Sequence, residues 1–129
     1  AHSWEKRSII GTTCKDGAEI PDYNYDDTAL AYLCHDGGLF LITGCSHSGI
    51  GNIIAYAQKL TGREKINGIL GGFHLLEDND RLRHTVNYLR SLNLNMLYPA
   101  HCISLKAKAL LLSCLPVSEV GVGLEIEIA

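Results

Sequence analysis

Along the chain, apolar positions first group at Thr28 to Cys34 and Gly38 to Thr43, two runs separated by His35-Asp36-Gly37. Asp-Gly between apolar runs is a strong hairpin signal, so two antiparallel strands are expected. From Ser48 the period changes: Ile50, Ile53, Ile54, Ala57 and Leu60 recur at helical spacing until Thr61-Gly62. That spacing predicts a helix of about three turns. Ile66 to Leu70 reads as a short strand stopped by Gly71-Gly72, and a second helix is expected from about Asp80 to Leu92, with Asp78, Asn79 and Asp80 as candidate caps. Leu94 to Tyr98 then reads as a strand ended by Pro99, residues 103 to 114 as a third helix, and Val117 to Val122 with Leu124 to Ile128 as closing strands. The turn formers and acids of residues 14 to 27 read as a surface loop.

Strands alternating with helices in this order give an α/β fold with a mixed β-sheet. Its 129 residues fit one domain, divided into an irregular N-terminal segment (1–27) and an α/β core (28–129). In such sheets ligands gather at the carboxyl ends of the strands.

Three segments share a layout of apolar strand, small or turn residue, then histidine. They end at Cys45-Ser46-His47, at Phe73-His74 and at Ala100-His101-Cys102. Three loops at one sheet edge can bring His47, His74 and His101 together with Cys45 and Cys102 beside them, and imidazole and thiolate suit zinc, iron and related divalent metals. Cys34 and Cys114 sit in apolar patterns and read as small core residues. His84 is expected to be solvated, His35 to lie in the hairpin turn and His2 near the terminus.

The same strand-end segments admit other chemistries. Ser46 lies on a strand-to-helix turn loosely like a nucleophile elbow, but Ser48 stands where the second glycine of Gly-x-Ser-x-Gly belongs. Cys45 or Cys102 with a histidine base would make a thiol nucleophile. The glycine-rich run Gly44 to Asn52 also feeds a helix N-terminus, which presents backbone N–H groups to an anion.

A net charge of −3 and a pI near 6.0 supply no basic footprint for nucleic acid. The longest apolar runs are too short to cross a bilayer, the first residues show no signal-peptide pattern, and five irregularly spaced cysteines argue against a disulfide framework. A reducing cytoplasm is the expected location, with a small-molecule substrate.

The segments Ile42 to Ile50, Gly71-Gly72-Phe73-His74-Leu75 and Pro99-Ala100-His101-Cys102 resemble the metallo-β-lactamase superfamily, and within it the metal-dependent hydrolases that include the dihydropterin ribofuranosylaminobenzene phosphate synthases. The resemblance covers roughly residues 28 to 128. It implies the C-terminal half of an αβ/βα sandwich and a site for one or two divalent metal ions, zinc first. It further implies His47, His101 and Cys45 as metal ligands, with Cys45 where the family carries an aspartate, and His74 as the catalytic residue that orients substrate or donates a proton. The family's His-x-His-x-Asp-His motif does not occur in these residues, and the usual His-Cys-Thr-Gly is here His101-Cys102-Ile103-Ser104. Half a sandwich is expected to bare an apolar sheet face. Its partner would be the missing N-terminal half or a second copy in a homodimer. The function implied is hydrolysis of an ester or phosphoester-like substrate, the alternative being a non-catalytic half-domain that pairs with another chain or itself.

Overall fold

The computed structural model describes residues 1–25 and 27–128. The elements run β1 (Gly11–Lys15), β2 (Ala18–Asp22), β3 (Ala29–Leu33), β4 (Leu39–Thr43), α1 (Ile50–Thr61), β5 (Ile66–Gly71), α2 (Asp80–Ser91), β6 (Met96–Pro99) and α3 (Leu105–Leu112). Strands β3 to β6 form one sheet in that order. β3 and β4 pair antiparallel, whereas β4–β5 and β5–β6 are parallel, so the expected mixed α/β sheet is what forms. The β3–β4 turn closes through Gly37 in the left-handed region (φ 81°), with Gly38 N donating to Asp36 Oδ1 at 3.0 Å.

One face of this sheet carries the core. Leu41, Ile69 and Leu97 stand in register across three strands and are fully buried. Ile50 and Ile54 of α1, Leu82, Val86 and Leu89 of α2, and Ala107 and Leu111 of α3 pack against them. Each of these Val, Leu and Ile side chains contributes about 1.5–3 kcal/mol by leaving water. The caps follow the sequence. Asn79 accepts from Leu82 N at 3.1 Å to start α2, Ser104 accepts from Ala107 N at 3.2 Å to start α3, and left-handed Gly62 ends α1.

The opposite face is only partly covered. Leu30, Ile42, Leu70 and Tyr98 form a row across all four strands; Leu30 is 69% exposed and Ile42 37%. Only Phe40 is fully buried there, because Gly68 opposite leaves room for its ring: a Cβ on Gly68 would meet Phe40 Cε2 at 2.6 Å.

Four expectations change. Part of the stretch read as an irregular loop is the antiparallel β1–β2 hairpin, turning at Asp16-Gly17. The closing strands do not form: Val117 makes a single bridge to Leu97, Ser118 N donates to Leu97 O at 2.8 Å, and beyond them the residues to 128 pair with no strand. Pro116, Gly121 and Gly123 interrupt that stretch, and Val122 is fully exposed. Cys114 is exposed rather than core, since α3 ends two residues before it, while Cys34 is buried as expected. The helix N-terminus of α1 does receive an anion, but from within the chain: Glu5, buried, accepts from Gly51 N at 3.0 Å and Asn52 N at 2.6 Å.

Candidate metal centre

The parallel strands β4, β5 and β6 end side by side, and their loops are tied together by backbone hydrogen bonds. Gly72 N donates to Gly44 O at 2.8 Å, Ala100 N to Gly71 O at 2.8 Å and Leu75 N to Cys102 O at 3.0 Å. The loops bend sharply: Ser46, His74 and Cys102 all have positive φ (62°, 46° and 51°). Serine and cysteine seldom adopt that region, and such strain gathers where side chains must be aimed. The other non-glycine cases among the described residues are Asp16, Asn24 and Asn93, types that tolerate it.

These bends bring Cys45, His101 and Cys102 together, with one donor atom from each lying within 4.8 Å of the others. Cys45 Sγ is 3.9 Å from His101 Nδ1, and His101 Nδ1 is 3.3 Å from Cys102 Sγ. Gly72 makes the approach possible, because a Cβ there would lie 2.5 Å from His101 Cε1 and 2.6 Å from Nδ1. Burial, followed by the hydrogen bond and charge of Cys45, pushes the Cys102 thiol up. A cation between the two sulfurs would reverse that preference, and two thiolates with an imidazole are a donor set for zinc and other borderline-soft ions.

His47 and His74 form a second group. Their rings meet edge to face, 4.6 Å apart at 88°. Asn24 Nδ2 lies 3.2 Å from His47 Nδ1, and Asp27 fixes the turn beneath by accepting from Ser48 N at 2.9 Å and Ser48 Oγ at 2.5 Å. Burial alone would raise the Asp27 carboxyl, but these bonds and the neighbouring His47 outweigh it and hold it below the usual range. His74 is lowered by burial first and then by the charges of His47 and Arg81, against a weaker opposing pull from Asp27.

Of the residues expected at the site, Cys45 and His101 therefore converge directly, while His47 and His74 pair with each other at the same sheet end. Cys102, noted in the sequence only as a neighbour or a thiol nucleophile, completes the trio; its place directly after His101 was the available signal. Ser46 is fully buried and its hydroxyl donates to Gly72 O at 2.6 Å, so it ties two loops together instead of facing a substrate. A groove of about 640 Å³ between β3 and α1 is lined by none of these donors. A smaller one of about 290 Å³ borders His74.

Parallel strands whose carboxyl ends gather thiols and imidazoles over a single helical layer define an α/β protein with a candidate metal centre. No family model matches the chain. It is, however, 32% identical over 108 residues to the 7,8-dihydropterin-6-methyl-4-(β-D-ribofuranosyl)-aminobenzene-5'-phosphate synthase of Methanocaldococcus jannaschii, covering 82% of this chain and 36% of that protein. An uncharacterized protein of the same organism is 43% identical over 94 residues, 72% of this chain and 33% of that one. The crystal structure of a metal-dependent hydrolase of the β-lactamase superfamily superposes with a TM-score of 0.82 at 27% identity, covering 92% of this chain and 46% of that chain. In sequence and fold the chain is similar to the metallo-β-lactamase superfamily. It spans about a third of the length of the curated relatives and just under half of the solved one.

Proposed function

We propose that this chain carries the C-terminal share of a metal-dependent hydrolase acting on an ester or phosphoester-like small molecule. The observation that carries the reading is the convergence of Cys45, His101 and Cys102 at the strand ends, with the His47–His74 pair beside them. His101, Cys45 and His47 hold metal, zinc being the ion that best suits the donors, and Cys102 joins them. When bound, zinc supplies Lewis acidity and lowers the pKa of water at the site. His74, which shares a wall with the neighbouring pocket, orients the substrate or passes a proton to its leaving group.

Metal analysis tests this reading directly. His101→Ala is expected to lower the zinc held per chain. Undiminished zinc in His101→Ala would overturn the ligand assignment. Inactivation by alkylation that chelators do not reproduce would favour a thiol nucleophile at Cys45 or Cys102.

The partly covered row Leu30, Ile42, Leu70 and Tyr98 favours a second reading, in which the chain pairs across this face with the rest of the sandwich or with a second copy. A chain that associates yet binds no zinc would support pairing without catalysis.

A further inference from the structure

Beside His74 lies the pocket of about 290 Å³, walled by Lys6, Ser8, Glu77, Asn79 and Arg81 as well as by His74 itself. Its charges are unbalanced. Among the described residues, neither Lys6 nor Arg81 makes an ion pair, because the acids nearest Arg81 in sequence are engaged elsewhere: Asp78 and Asp80 both face Arg83, at 2.8 and 3.7 Å. Glu77, the one carboxylate in the wall, accepts from Asn79 Nδ2 at 3.2 Å. Arg81 Nε is buried and has no acceptor. A guanidinium N–H withdrawn from water without a partner is unfavourable, so an acceptor brought by a ligand would be stabilised at this residue.

We propose that this pocket is a subsite for an oxyanion of the substrate, a phosphate group being the form that fits best. Arg81 offers the forked N–H donors that match phosphate oxygens, Lys6 a mobile point charge at the rim, and Ser8 a hydroxyl. His74 forms the wall shared with the imidazole pair, so an anion held here would present the remainder of the same molecule to the strand ends. The inference deepens the hydrolase reading by naming a substrate class, and it rests on that reading only for what happens at the other end of the molecule.

The test titrates the full, metal-free chain with inorganic phosphate by calorimetry, following the amide resonances of Asn79 and Arg81 in parallel. Removing zinc first prevents phosphate from reporting on the metal centre. Saturable binding is expected, weakened about tenfold in Arg81→Gln and in Lys6→Gln, since one charge-assisted hydrogen bond is worth about a factor of ten. Lys6 is exposed and outside every named element, so its variant keeps the fold if Arg81→Gln does not. No saturable binding, or binding that survives both substitutions, overturns the subsite. Zinc content measured on the same variants separates the two ideas: zinc without phosphate binding sinks only the subsite, and phosphate without zinc binding sinks only the metal centre.

Discussion

Gly72 shows how a residue with no side chain can set the geometry of a donor. The His101 ring lies where any Cβ on Gly72 would have to be, and Gly44 O closes the same space at 2.8 Å. Gly72→Ala must push the imidazole or the β5 end away from Cys45 and Cys102, and ligand geometry tolerates only a few tenths of an ångström. Zinc affinity of Gly72→Ala, measured by chelator competition, is therefore expected to fall by tenfold or more although every donor is still present. An unchanged affinity would mean that His101 does not hold the metal from its observed position. His47, His74, His101 and Cys45 were legible in the sequence because strand, turn and histidine recur in one order. Asn24 and Asp27 were not, since they reach His47 and Ser48 from a loop some 20 residues upstream whose spacing carries no signal.

Helix α1 draws part of its stability from far along the chain. Its N-cap, Gly49, has no side chain to offer, and Glu5 takes over by accepting from Gly51 and Asn52. The segment is held further by His2 N donating to Asn52 Oδ1 at 2.6 Å and by stacking of His2 and Trp4 with each other and on α2 at Tyr88 and His84. Glu5→Ala leaves one buried and one part-buried N–H group unpaired and is expected to cost about 2 kcal/mol, read as a lower urea midpoint at constant slope. A shift below about 0.5 kcal/mol would show that water replaces the carboxylate freely. Long-range capping of this kind leaves no local pattern, which is why the Gly44 to Asn52 turn looked open to an external anion. The β1–β2 hairpin was hidden differently: Asp16 and Gly17 both have positive φ, the signature of a primed turn, but its strands are almost wholly exposed and carry no apolar alternation. For the tail the error ran the other way, because Val117 to Ile128 has strand composition yet meets β6 at one residue only. Pro116 precedes it and Gly121 and Gly123 interrupt it, so the free edge of β6 stays largely unpaired among the described residues.

At the scale of the whole molecule, the surface is too large for the mass. A folded monomer of 14.1 kDa is expected to expose about 6,700 Å². This chain exposes 7782 Å². The exposed hairpin, the tail after Val117 and the uncovered sheet face are where the excess of about 1,000 Å² can lie, and a stable interface covers about 800 Å² per partner. The row from Leu30 to Tyr98 is apolar and continuous across four strands, and a net charge of −3 opposes association only weakly. On its own at micromolar concentration the chain is therefore expected to self-associate in sedimentation velocity. Leu30→Lys with Ile42→Lys should return it to a monomer, since both positions are solvent-facing in the single chain and their charges would be stranded only in a pair. Zinc per chain should not change in that variant, because neither residue belongs to the donor groups at the strand ends. A wild-type chain that sediments as a monomer at all concentrations would refute pairing through this face, and loss of zinc on dissociation would instead place a ligand from the second copy in the centre.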